Sequence, residues 1–167
     1  MASIEDNILT AIKVKGSIFF PSDFTSYGET KAIDESLKRL TAKGDIIRLA
    51  RGIYTYPGIV PAGIYVLNKL GISTPIPMNI VYLTNDVPRK VSLGNGRLIQ
   101  FKYTTPRNLS FTNPLAMLVT SALKEIGKNN VTDDIAKQIK KVLQKEQKKN
   151  VLADEVLMPA WIRTFTR

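Results

Sequence analysis

The sequence predicts an α+β protein in two parts: an N-terminal winged helix-turn-helix over residues 1–57, then a small mixed α/β domain over residues 58–167 that ends in helices. Three observations predict this. Residues 21–56, PSDFTSYGETKAIDESLKRLTAKGDIIRLARGIYTY, place a short helix, a Gly-containing turn, an amphipathic helix and a basic-tipped hairpin in immediate succession, the order that holds one helix in a DNA major groove. Residues of about 79–103 read as strands around Gly94-Asn95-Gly96, a hairpin signal because Asn-Gly tolerates positive φ. Residues of about 114–126 and 133–149 carry apolar stripes at helical spacing.

From the N-terminus, Ser3 is placed to cap a first helix running to about residue 14, with Glu5 and Asp6 in the first turn, where the helix dipole favours anions. Ile4, Ile8, Leu9 and Ile12 share its core face, and Gly16 ends it. Residues 18–20 form a short extended apolar run, a first small strand. Ser22 caps a helix of one or two turns through Tyr27, and Gly28 makes the turn. Thr30 caps the next helix, residues 31–43, which Gly44 terminates. There Ile33, Leu37 and Leu40 fall on one face; Lys31, Glu35, Lys38 and Ala42 fall opposite, with Arg39 beside them. A surface helix with ordinary solvated charges has the same pattern. What favours DNA is the adjoining hairpin, with strands at 46–49 and 53–56 and Arg51 at its tip beside Gly52, placed to enter a minor groove or grip a phosphate. Asp34 and Glu35, near the start of the same helix, repel phosphate, although Glu35 can accept from a cytosine amino group.

In the second part, residues 62–70 read as a short helix ended by Gly71, and Pro75 and Pro77 forbid regular structure between them. A strand at 79–84 precedes the hairpin strands 91–93 and 98–103. Arg89, Lys90, Arg97, Lys102 and Arg107 surround that sheet, with Asp86 its one acid. They either solubilise strand edges or meet an acidic partner. Asn113-Pro114 is a cap followed by Pro at the first helical position, and Leu115, Leu118, Val119, Ala122 and Ile126 form the stripe that follows. Thr132 caps the last long helix, in which Ile135, Ile139, Val142 and Leu143 oppose Lys137, Lys140, Lys141 and Lys148. Such a lysine face is ordinarily a solvated one. Trp161 and Ile162, near the C-terminus, read as core residues.

Composition narrows the chemistry. The 167 residues contain neither cysteine nor histidine, which removes disulfides, thiolate catalysis, Cys-ligated zinc and the usual neutral-pH general base. No Walker loop, nucleophile elbow or metal-ligand cluster occurs, so the expectation is a protein with no enzymatic activity, cofactor or metal. No apolar run reaches the roughly 20 residues that span a bilayer. Acidic residues stand where a signal peptide would be basic, and a cytoplasmic location is expected. The net charge of +10 is unevenly spread. Residues 1–57 hold eight Lys/Arg against seven Asp/Glu, 58–110 six against one, and 111–167 ten against six. A polyanion would therefore draw on the second part too. Arg89, Lys90, Arg97, Lys102, Lys137, Lys140 and Lys141 are accordingly candidates for additional phosphate or partner contacts.

The runs KGSIFFPSDF, KAIDESLKRL and GDIIRLARGIYTYP, followed by PAGIYVLNKLG, STPIPMNIVYLTND, PRKVSLGNGRLIQFK and LMPAWI, resemble AbiEi-type antitoxins, the regulatory half of type IV abortive-infection toxin–antitoxin pairs. The resemblance covers nearly the whole chain. It implies a winged helix that binds inverted repeats in its own promoter on double-stranded DNA and represses the operon. It also implies a C-terminal domain that opposes a nucleotidyltransferase-type toxin, without a stable complex. By motif placement, DNA contact falls to Thr30, Lys31, Lys38 and Arg39 on the recognition helix and to Arg48 and Arg51 on the wing. Two alternatives stand beside this reading: a winged-helix regulator with no toxin partner, and a protein- or RNA-binding module that uses the winged helix as scaffold.

Overall fold

Ser3 and Asp6 start the first helix by capping each other. The Ser3 hydroxyl accepts from the Asp6 amide at 3.1 Å, and the Asp6 carboxylate accepts from the Ser3 amide at 3.0 Å, a reciprocal box that satisfies two otherwise orphaned donors. The computed structural model describes residues 1–15, 18–56 and 58–167, the side chains of Val14 and Lys15 excepted; the helix-ending role read for Gly16 lies outside them. The chain is a mixed α and β protein with two sheets, and it divides into two units, Met1–Gly58 and Ile59–Arg167.

In the first unit, helix α1 (Ile4–Lys15) buries Ile8 and Ile12 against Phe19, Phe24 and the inward face of α2 (Thr30–Lys43). Between the helices, strand β1 (Ile18–Phe19) leads into a 3-10 helix, Pro21–Tyr27. Ser22 is not the cap. The helix begins one residue earlier, on Pro21, and the Asp23 carboxylate accepts from the Phe20 amide at 2.8 Å; the proline ring presets the first turn. Gly28 is extended, with φ 165°, so no left-handed turn is made there. Its missing Cβ leaves room instead: one would lie 2.9 Å from Ile4 Cδ1. Thr30 is likewise the first residue of α2 and not its cap. That position falls to Glu29, whose side chain makes no capping bond. Ile33, Leu37 and Leu40 are buried, and Gly44, at φ 81°, closes α2 as the Asp45 amide reaches back to the Leu40 carbonyl at 3.0 Å.

Strands β2 (Ile47–Ala50) and β3 (Ile53–Thr55) form a hairpin, and β1 pairs with the other side of β3, all antiparallel. The register shifts between Arg48 and Ala50. Phe19 stacks on Tyr54 at 6.1 Å and meets Phe24 edge-on at 5.6 Å, which fixes the sheet to the helices.

The second unit holds a four-stranded sheet in the order β4-β5-β7-β6, formed by β4 (Val60–Ala62), β5 (Asn79–Thr84), β6 (Arg89–Gly94) and β7 (Arg97–Tyr103). The β6–β7 hairpin turns on Asn95, at φ 52°. Strand β7 then runs parallel to β5, Asn79 opposite Leu98 through Thr84 opposite Tyr103, with β6 on the far edge. Ala62 belongs to β4, because that strand pairs with β5. Helix α3 (Gly63–Lys69) therefore starts a residue later than the sequence predicts.

Helix α4 (Pro114–Ile126) is capped by Asn113, whose side-chain oxygen accepts from the Ala116 amide at 2.9 Å. Val66, Val119, Leu123, Ile139, Met158 and Ile162 are the heart of this unit's helical core. The single helix expected over 133–149 is two. Helix α5 (Asp133–Leu143), capped by Thr132, stops where the amides of Lys145 and Glu146 bond three residues back, to Val142 and Leu143. The Glu146 carboxylate then accepts from Gln147 and Asn150 and starts α6 (Lys148–Leu152). Helix α7 (Ala160–Thr166) packs Trp161 against the core and buries Ile162. A buried carboxylate ties this tail down: Asp154, 3% exposed, accepts from the Thr112 amide and hydroxyl and from the Asn113 amide at 2.7 Å.

Candidate nucleic-acid interface

Lys31, Asp34, Glu35 and Lys38 succeed one another at helical spacing on the outward face of α2, because the opposite face carries Ile33, Leu37 and Leu40 into the core. The β2–β3 hairpin brings Arg48 and, at its turn, Arg51 and Gly52 to the same place. The result is a groove of about 390 Å³ lined by these residues with Pro21 and Tyr54. All four cations are exposed. Arg48 stands opposite Tyr54 across the hairpin, and its Nε donates to the Ala50 carbonyl at 3.3 Å, holding the guanidinium along the strand. Lys38 pairs with Glu35 at 3.6 Å, with the two side chains 74% and 51% exposed. Such an exposed pair is weak and open to exchange for another anion.

The structure separates the six residues assigned to DNA contact. Lys31, Lys38, Arg48 and Arg51 share the groove. Arg39 does not: its Nε is bonded to Glu5 on α1 and its Nη2 to Ser36 at 3.2 Å. Lys43 meets the other Glu5 oxygen at 2.7 Å. These hydrogen bonds, from Lys43 first and then Arg39, hold the Glu5 carboxyl below its ordinary value, and Glu5 in turn raises the Lys43 ammonium. The Ser3 hydrogen bonds lower Asp6 similarly. Thr30 is exposed at the first turn of α2, outside the groove. Tyr54 and Pro21, which the sequence reading did not single out, line the groove. The signal for Tyr54 was the strand alternation that puts it on the same face as Arg48.

The seven candidate cations of the second unit fall on two elements. Arg89, Lys90, Arg97 and Lys102 are exposed on the β6–β7 hairpin. Lys90 pairs in register with Gln100 and so shares a face with Lys102, whereas Arg89, opposite Phe101, is on the other face. Lys137, Lys140 and Lys141 are exposed on α5, and Lys140 lines a cavity of about 390 Å³ with Lys148, Phe165 and Arg167. Arg107 donates to the Val156 carbonyl at 2.7 Å.

Among the described residues, no group of three or more His, Cys, Asp or Glu side chains is placed to hold a metal ion, and no helix is long and apolar enough to cross a membrane. A family model described as a family of unknown function (DUF6088) matches the chain over residues 3–59 and again over residues 58–151. No curated protein matches it.

Proposed function

The chain belongs to the DUF6088 family of unknown function, and we propose that its Met1–Gly58 unit is a winged helix-turn-helix that binds duplex DNA. The observation that carries this reading is the convergence of Lys31, Lys38, Arg48 and Arg51 on one groove between an outward helix face and a hairpin turn. Helix α2 enters the major groove, where Lys31 and Lys38 reach guanine acceptors or phosphates. Arg51, at the hairpin turn, takes a phosphate or the adjacent minor groove. Asp34 and Glu35 lie between them and set the preference: Glu35 accepts from a cytosine amino group, and a site without such a donor is penalised by an unpaired carboxylate. The resemblance to AbiEi-type antitoxins extends the proposal to autorepression of a toxin–antitoxin operon and to opposition of a nucleotidyltransferase-type toxin. Those two steps rest on the resemblance alone.

The test is binding of the full chain to a duplex from the gene's own upstream region against a scrambled duplex of equal length and composition. Preference for the upstream duplex, lost in Lys38→Ala, supports the proposal. Equal binding to both overturns sequence-specific recognition. A second reading, a protein- or RNA-binding module built on the same scaffold, is favoured by the near-neutral charge of the first unit, eight Lys/Arg against seven Asp/Glu. It predicts that Lys38→Ala and Arg51→Ala leave duplex affinity untouched.

A further inference from the structure

Between α4 and the β4–β5 edge of the second unit lies a cavity of about 160 Å³ whose chemistry the nucleic-acid reading does not use. Thr120 lines it. This residue is 2% exposed, and its Oγ1 has no hydrogen-bond partner. Buried hydroxyls are nearly always paired, so an unpaired one calls for a partner or another explanation. One helical turn on, at the spacing that shares a helix face, Lys124 lines the same cavity, and its ammonium donates to Asn108 Oδ1 at 3.0 Å. Burial first, and then the charge of Arg107, lowers the Lys124 pKa, while the residue as a whole stays exposed, so its ammonium is reachable from solvent. Ser121 is already engaged, donating to the Pro61 carbonyl at 2.6 Å. Val60, Ala62, Leu83, Phe111 and Met117 make the remaining wall apolar, and Glu125 is also part of the lining.

We propose that this cavity binds a small monocarboxylate with a compact apolar body. One carboxylate oxygen pairs with Lys124 and the other accepts from the Thr120 hydroxyl, while the body fills the apolar wall. Size sets the class: a cavity of about 150 Å³ takes a ligand the size of benzene, so a branched acid of about seven non-hydrogen atoms fits. Charge refines it, because Glu125 in the same lining disfavours a dianion such as phosphate more than a single carboxylate paired with Lys124.

Isovalerate and its neutral isostere isovaleramide are the probes, titrated against the full chain by calorimetry and followed by amide chemical shifts. The expected result is saturable binding of isovalerate, with shifts centred on Thr120 and Lys124, and isovaleramide weaker by about tenfold. Thr120→Val keeps the volume and removes the hydroxyl. It should weaken isovalerate by about tenfold and leave the thermal midpoint of the empty protein unchanged or raised. Lys124→Met should abolish the preference for acid over amide. No saturable binding of either probe, equal binding of the two, or unaltered isovalerate affinity in Thr120→Val would each overturn the proposal. A lowered midpoint in Thr120→Val would overturn it too, since the hydroxyl would then be satisfied without a ligand.

Discussion

Arg51→Ala tests the DNA reading where it is most exposed to refutation, because the structure predicts both a slope and an affinity. Four cations line the groove: Lys31, Lys38, Arg48 and Arg51. If each neutralises one phosphate, the logarithm of the binding constant falls with the logarithm of salt concentration at a slope of about −3.6, and removing Arg51 reduces it to about −2.7. Counterion release then sets a floor on the affinity lost. At about 0.15 M salt, 0.9 of a power of ten per logarithmic unit below 1 M gives about fivefold. A direct guanidinium–phosphate hydrogen bond enlarges this, toward about tenfold or more. Fluorescence anisotropy with a labelled duplex from about 0.05 to 0.3 M salt reads both quantities. Arg39→Ala is the paired control, because its guanidinium is bonded to Glu5 and Ser36 and lies outside the groove; its slope should match wild type. An unchanged slope in Arg51→Ala would refute the placement of the hairpin turn on DNA. A slope reduced equally in Arg39→Ala would mean a diffuse basic surface and not this groove.

Further outcomes follow from other residues. Glu35→Gln removes a carboxylate from the groove and frees Lys38, so affinity for the scrambled duplex should rise about two- to fivefold while discrimination between duplexes falls; unchanged discrimination would remove Glu35 from recognition. The Glu5 carboxyl is held below its ordinary value of 4.5 by Lys43 and Arg39. Its contribution is thus complete above that pH and is lost as pH falls through the lowered folded value, and the hydrogen-exchange protection factors of α1 amides, taken against the intrinsic rate at each pH, should fall in acid for wild type and less so for Glu5→Gln. Asp154→Ala leaves the Thr112 and Asn113 donors without their acceptor. Urea unfolding read by Trp161 fluorescence should show a loss of about 3 kcal/mol, and a loss within experimental error would mean that water replaces the carboxylate. Asn95→Val places a branched side chain at φ 52° and should cost about 1–2 kcal/mol, against no loss for Asn95→Gly.

What the sequence reveals of this molecule is what a few neighbouring residues decide. The α2 stripe of Ile33, Leu37 and Leu40 is legible because helical spacing and burial are the same fact, and Asn113 before Pro114 is legible because cap and first turn adjoin. Strand β4 is not. It is three residues long with Pro61 at its centre, tolerated because β4 is an edge strand. The parallel pairing of β5 with β7 skips a whole strand, and no local pattern encodes it. The break after Leu143 is equally hidden, since residues 144–147 contain neither Gly nor Pro. It is made by backbone bonds three residues back and by the Glu146 side chain.

Charge shows the same division more sharply. Counted along the chain, eight basic and seven acidic residues make the first unit nearly neutral, a poor prospect for a polyanion. Counted in space, the sum dissolves. Glu5 is bonded to Arg39 and Lys43, Asp6 to Ser3 and Asp23 to the Phe20 amide, which assigns three of the acids to holding helices in place. The groove keeps Lys31, Lys38, Arg48 and Arg51 against Asp34 and Glu35, an excess of two positive charges on one small surface. Glu5 lies 34 and 38 residues from its partners, so no window of the sequence shows which cations it neutralises. A phosphate approaching within a Debye length, about 8 Å at physiological salt, responds to that local excess and is screened from the total. The near-neutral count is therefore compatible with DNA binding, and within the first unit it concentrates the electrostatic attraction where the helix and the hairpin turn meet.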